Sequence, residues 1–268
     1  MQDLTVAERV DRERNYSEKV WAENDRLQRR FIHVFTGPNI AAEEARHLDA
    51  IRAAAAGRDV LDYGCATGRF ARVLLEAGAR SVHGIDLDEA AIASAQAEGL
   101  ERATFVAGDA HRLPWPDASF DVIVGRAILH HLDLEMATRE LVRVLRPGGR
   151  VFFVEPIRHN PLTALFRLLT PKARTADEMP LSRAQVRSLD AALGRPDHGW
   201  ALGISMPVGA LTSLLPGVGP DNPALAAADR IDRLLARTPA RWWMGMGYLR
   251  WGTDGRGPNP RDLHPRSR

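Results

Sequence analysis

The sequence lacks most of what would declare a function early. One cysteine, Cys65, occurs in 268 residues. That excludes a disulfide framework, and no grouping of Cys and His has structural-zinc spacing. Aromatic residues make up only 6%. No run of about 18 apolar residues exists, so no spanning helix is expected. The first twenty residues are charged throughout rather than apolar; with no signal-peptide core, a cytoplasmic protein is expected. Lysine is nearly missing too, with Lys19 and Lys172 alone among 36 basic residues. Such an arginine bias reads more economically as GC-rich coding than as phosphate recognition.

Net charge is also nearly absent. The formal +2 arises in residues 252–268, where four Arg stand against two Asp; removing them leaves 32 bases and 32 acids. Gly and Pro punctuate this stretch, and the composition predicts a disordered tail behind a single domain of residues 1–251. A neutral body argues against a nucleic-acid partner.

Three kinds of pattern are present. Residues 1–57 read as a helical segment: Thr5 and Glu8 have capping-box spacing, and a helix is predicted from Ile40 to Ala56, closed by Gly57. Residues 58–155 alternate strands with helices. The strands are predicted at Arg58–Tyr63, Ser81–Asp86, Ala103–Gly108, Phe120–Gly125 and Arg150–Glu155. Capping Asp88 and Asp133 open helices, and Pro147-Gly148-Gly149 closes one. Units of this size imply right-handed crossovers and a mostly parallel sheet covered on both faces. In residues 156–251 the rhythm breaks. A proline-punctuated cap with a short amphipathic helix is expected over 156–180. Helices near Val208–Leu215 and Ala224–Arg237 and strands at Gly199–Ser205 and Trp242–Trp251 follow.

The most informative stretch is Val60-Leu61-Asp62-Tyr63-Gly64-Cys65-Ala66-Thr67-Gly68-Arg69-Phe70. A strand runs into a small-residue turn and then a helix, whose first N–H groups stand free for a ligand. A dinucleotide loop would place glycines at Ala66 and Arg69. An acid at Asp62 suits a cationic amino-acid moiety better than a diphosphate. Asp86, at the end of the second strand, can accept both hydroxyls of a ribose. Asp109, after the third, can accept from a base amino group. Each acid alone could be a helix cap or turn former. Together, on one carboxyl edge, they outline a nucleoside-shaped crevice.

These blocks, with GIDLD, FVAGDAHRLPWPDASFDVIV, AILHHL and ELVRVLRPGGRVFFVEP, resemble the class I S-adenosylmethionine-dependent methyltransferases, small-molecule group. The resemblance implies a Rossmann-like α/β fold, a seven-stranded mostly parallel sheet with one antiparallel strand near its edge. It implies S-adenosylmethionine as cofactor. Asp62 and the backbone of Gly64, Ala66 and Gly68 would hold the methionine end. Asp86 would take the ribose and Leu87 would lie beside the adenine. Asp109 and Ala110 would meet the adenine edge, and Arg126 would lie near the methionine through its backbone. Ala66 departs from the usual middle glycine. Cys65, small and beneath the cofactor, is not read as a nucleophile.

Methyl transfer from a sulfonium is an in-line displacement that mostly needs positioning, with a base for a hydroxyl acceptor. His130 and His131 follow the fourth strand and are the candidate bases, although Leu-His-His-Leu also reads as a generic family feature. His33 and His159 are rivals. No metal site is expected. Apolar flanks, including Phe31, Leu162, Trp200 and Trp242, predict a small, largely apolar acceptor, methylated at oxygen, and leave a homo-oligomer open. The alternatives are an RNA or protein methyltransferase, or an enzyme of this fold that binds the cofactor and catalyses another reaction.

Overall fold

Five runs rich in Val, Ile and Phe form the parallel centre of the sheet. The computed structural model describes residues 26, 29–161, 164 and 179–252. Within it β1 (Asp59–Tyr63), β2 (Ser81–Asp86), β3 (Ala103–Ala107), β4 (Phe120–Arg126) and β5 (Leu145–Pro156) lie in the order β3-β2-β1-β4-β5, all parallel. Burial on both faces explains their near-continuous apolar character. The long helix α2 (Pro38–Ala55) follows the short α1 (Ile32–Thr36), and α3 (Arg69–Glu76), α4 (Glu89–Ala97) and α5 (Leu134–Val144) are the crossovers. Pro38 occupies the first turn of α2, where its missing N–H costs nothing. The predicted caps are present. Asp88 accepts from the N–H groups of Ala90 and Ala91, and Asp133 from that of Met136.

Two cores cover the sheet. Leu141 and Val142 of α5 and Val186 and Leu189 of α6 (Arg183–Leu193) pack on one face. Ile51 and Ala55 of α2, with Ala71 and Leu74 of α3 and Ile92 of α4, pack on the other. A smaller apolar group, Val34, Val154, Ala201, Leu202 and Tyr248, sits near the carboxyl end of β5.

The expected architecture holds, with one change in count. The sheet has eight strands rather than seven, because its far edge is broken into β6 (Arg195–Pro196) and β7 (Gly199–Ala201), both antiparallel to β8 (Met246–Gly252). β8 is itself antiparallel to β5. The strand expected over Gly199–Ser205 stops at Ala201 for a long-range reason. Leu202 turns at a φ of 65°, and the N–H groups of Gly203, Ile204 and Ser205 donate to the Asp232 carboxylate at 3.0, 2.6 and 3.1 Å. That carboxylate starts α7 (Ser205–Ser213) earlier than the apolar pattern suggested, and Asp232 belongs to α8 (Pro223–Leu235). The strand expected from Trp242 begins only at Met246. The Thr238 side chain caps a 3₁₀ turn, Pro239–Trp243, that absorbs both tryptophans. β5 starts earlier than expected, since Leu145 already pairs with Phe120 before the glycine turn shifts the register. The capping box at Thr5, most of the 156–180 cap and the tail from residue 253 onward lie outside the described residues.

Candidate active site

All three acids come to the carboxyl edge of the sheet, with different local partners. Asp62 lies inside β1, one residue before its end, and is 4% exposed. Its Oδ2 has no hydrogen-bond partner among the described residues. Burial, and then the neighbouring Asp86 charge, push its carboxyl up to about 7. A buried carboxylate without a donor is costly to ionise, and an arriving cation would remove that cost. This orphaned oxygen fits the positively charged end of an amino-acid moiety.

The loop after β1 turns through left-handed backbone at every second residue: Gly64 (φ 78°), Ala66 (φ 44°) and Gly68 (φ 71°). Alanine in this region costs about 1–2 kcal/mol, which Ala66 offsets with a hydrogen bond from its N–H to Asp86 Oδ2 at 2.8 Å. Asp86 Oδ1 accepts from the Asp88 N–H at 3.0 Å. Each carboxylate oxygen retains accepting capacity beyond these bonds. Asp86 therefore ties the loop to β2 while remaining able to bind a hydroxyl. Glycine at Gly68 is a packing demand as well: a Cβ there would meet Ala95 and the Phe105 ring at 2.9 Å. At Gly64 a Cβ would meet Ile128 at 3.0 Å, so the loop fits closely against the segment after β4.

Asp109 is partly committed to its own loop. Its Oδ1 accepts from the His111 N–H at 2.9 Å and from His111 Nδ1 at 2.7 Å. His111 Nε2 in turn accepts from the Asp133 N–H at 2.8 Å, which places the ring proton on Nδ1. Tyr63 donates its hydroxyl to the Ala110 carbonyl at 2.7 Å, fixing the same loop from β1. Leu87 and Ala110 are half-buried beside these groups. Tyr63 and His111 escaped the sequence reading; the Asp-x-His spacing was the available signal for the second.

The segment after β4 is built on Glu155, a fully buried residue of β5. Its Oε1 accepts from the N–H groups of Ile128 and Leu129 at 3.0 and 2.9 Å. Its Oε2 lies 2.7 Å from His130 Nδ1, so that nitrogen donates. The His130 and His131 rings lie against each other at a centroid distance of 4.2 Å, tilted by 38°. Arg126 extends outward and pairs with Glu44 of α2. Beside them Tyr248 of β8 is buried, and burial together with Glu44 pushes its hydroxyl well above the usual tyrosine range. Glu44 and Tyr248, too, carried no local signal. His33 is buried between α1 and α7, its Nδ1 3.0 Å from Thr212 Oγ1, and no described bond joins it to the glycine loop. His159 Nε2 accepts from the Arg183 N–H at 3.1 Å. Among the described residues no group of His, Cys, Asp and Glu could hold a metal ion, and no helix is long and apolar enough to cross a membrane. An open cavity of about 290 Å³ between α4 and β3, lined by Ala95, Gln96 and Phe105 among others, includes none of these acids.

A glycine-loop crevice at the carboxyl edge of a 3-2-1-4-5 sheet with an antiparallel late strand defines a Rossmann-like α/β scaffold with its ligand site at that edge. Comparison with known proteins makes it particular. Residues 61–153 match the family model described as "Methyltransferase domain". A probable S-adenosylmethionine-dependent methyltransferase of Mycolicibacterium smegmatis is 45% identical over 100 residues, 37% of this chain and 38% of that protein. The 27-O-demethylrifamycin SV methyltransferase of Amycolatopsis mediterranei is 40% identical over 102 residues, 36% of this chain and 38% of that protein. In fold, the methyltransferase subunit of a Haloferax volcanii complex with its Trm112 activator aligns over 90% of this chain and 97% of that one. Its TM-score is 0.60 at 20% identity. Residues 61–153 are a methyltransferase domain of the class I S-adenosylmethionine-dependent type. The chain spans less than two fifths of the length of either curated relative named here.

Proposed function

We propose that the chain is a methyltransferase that moves a methyl group from S-adenosylmethionine to a small, largely apolar acceptor, at oxygen. The observation that carries the cofactor half is the buried, unpartnered carboxylate of Asp62 beside Asp86, under a loop of left-handed backbone. Asp62 and the Gly64–Gly68 backbone would hold the methionine end, and Asp86 the ribose. Leu87, Asp109 and Ala110 would surround the adenine, and the Arg126 backbone would border the methionine. When bound, the cofactor supplies an activated methyl group on a sulfonium. The protein has then to orient the acceptor in line and exclude water.

The acceptor half is supported by the apolar group beside the same edge. Val154, Leu202 and Val34 are buried there, with Phe31, Ile40 and Met206 packed around them. The Glu44–Arg126 pair and Tyr248 are polar groups on that side, suited to aligning a hydroxyl. Because Nδ1 of His130 donates to Glu155, Nε2 is the nitrogen through which it would take a proton. The rifamycin relative is named for an O-demethylated substrate, which supports oxygen as the acceptor atom.

Calorimetric titration with S-adenosylhomocysteine tests the cofactor half. Binding in the micromolar range is expected, and none at millimolar ligand would sink it. An acceptor screen reading demethylated cofactor tests the transfer. Intact cofactor beside a transformed substrate would instead favour a non-methylating reaction on this fold.

A further inference from the structure

Helix α8 and the 3₁₀ turn after it present a surface that the cofactor site does not use. On its outer side Arg230, Arg233, Arg237 and Arg241 are exposed, and between them stand Ile231, Leu234 and Trp243 at 43%, 64% and 66% exposure. Arg230, Ile231, Arg233 and Leu234 share one arc of the helix. The two acids of α8 face the other way. Asp232 is fully buried against the start of α7, and Asp229, 1% exposed, accepts from the Asn39 N–H. Their charges leave the outer face to the guanidinium groups, and no salt bridge of the described residues engages any of the four. Elsewhere exposed arginines do hold carboxylates: Arg52 pairs with Asp49, Arg72 with Glu98 and Arg139 with Glu135. Four cations without a salt bridge among the described residues, interspersed with large apolar side chains, complement a surface that is anionic above and apolar beneath. A tryptophan at the margin suits the headgroup level. Nucleic acid would satisfy the arginines and leave Leu234 and Ile231 in water.

We propose that residues 230–243 form a docking surface for an anionic lipid bilayer. The test is sedimentation of the full chain with vesicles of phosphatidylcholine alone, and with vesicles of two parts phosphatidylcholine to one part phosphatidylglycerol. Partition at least tenfold higher onto the anionic vesicles, falling with salt, is expected. Each arginine contributes roughly fivefold near such a surface, so Arg230→Gln with Arg233→Gln should lower partition about twentyfold or more. Leu234→Ser should lower it severalfold. All are surface changes, and circular dichroism melts would verify folding. Neutralising the tail arginines Arg256, Arg261, Arg266 and Arg268 should leave most of the binding. Equal partition onto both vesicle types would overturn the proposal, as would binding lost only with the tail variant. No vesicle binding, with capture on polyuridylate or polyglutamate that the Arg230/Arg233 variant abolishes, would assign the face to a nucleic acid or an acidic protein and equally overturn it.

Discussion

Strand β1 carries an aspartate near each end, and the two live under opposite rules. At the amino edge of the sheet, Asp59 accepts from Arg80 Nε at 2.7 Å, Ser81 Oγ at 2.8 Å and Arg146 Nη1 at 2.9 Å. The hydrogen bonds from Arg80 above all hold its carboxyl well below the usual range. Asp121 beside it shares Arg146 and accepts the Asp59 N–H. Three residues along, at the carboxyl edge, Asp62 is buried, with no donor to Oδ2 and no cation beside it among the described residues, and its carboxyl rises to about 7. One end is neutralised from within the fold. The other is left for something that arrives, at the edge where such sheets bind ligands.

The largest break in that contrast should come from Asp86→Ala. Asp86 is both a ribose acceptor in the proposed site and the anchor of the Ala66 and Asp88 N–H groups. Loss of charged hydrogen bonds together with the loop anchor should weaken cofactor affinity by about 3 kcal/mol, more than a hundredfold. Titration calorimetry reads it; an unchanged Kd would remove Asp86 from the site.

Asp62→Asn should act in two directions. It should cost about tenfold in cofactor affinity, by removing the charge that a cation would meet, while raising the melting temperature of the unliganded protein. The sign follows from linkage. The folded state keeps the Asp62 proton up to about 7 and the unfolded state loses it near 3.8. Between those values the folded state binds more protons, and Asp62 makes stability fall as pH rises. Cofactor affinity should do the opposite, strengthening from pH 6 to 7.5 with proton uptake by the buffer. The Asn variant should abolish both dependences.

A buried base offers the mirror image. His47 of α2 packs edge-on to Phe152 and Tyr248 with Nδ1 unpartnered, and burial, then Arg250, pushes its pKa down to about 3. The unfolded chain takes that proton near 6.5, so His47 makes stability fall as pH drops below 6.5. His47→Phe should therefore recover about 2 kcal/mol at pH 5 relative to pH 7. Urea melts at the two pH values would show it. A variant with the wild-type pH slope would contradict the assignment.

What the sequence made legible was what neighbours along the chain decide. Asp88 and Asp133 cap the helices that follow them, the glycine loop sits between β1 and α3, and the three acids reach one edge because parallel strands start and stop together. What it hid is settled across distance. Asp232 shortens β7 by capturing three N–H groups about 28 residues before it in sequence. Arg126, expected beside the methionine through its backbone and toward the substrate through its side chain, finds Glu44 on a helix that precedes the whole sheet. Asp109, read as free for a base edge, has one oxygen already accepting from His111. No periodicity carries such pairings, since each depends on which elements the fold stacks together.

The smallest effect belongs to the amino edge. Asp59→Asn removes a charge that is 16% exposed but leaves the strand pairing and the Ser81 contact in place. Its main partner, Arg80, is solvent-exposed, and such pairs are weak because water and salt screen them. Asp121 still offers Arg146 and Arg80 a carboxylate. The melting temperature should drop by a few degrees at low salt, and less in high salt, while the cofactor Kd stays within twofold. A loss of affinity comparable to that of Asp62→Asn would mean that the two edges are coupled through β1, and that neutralisation at one end helps to set the vacancy of charge at the other.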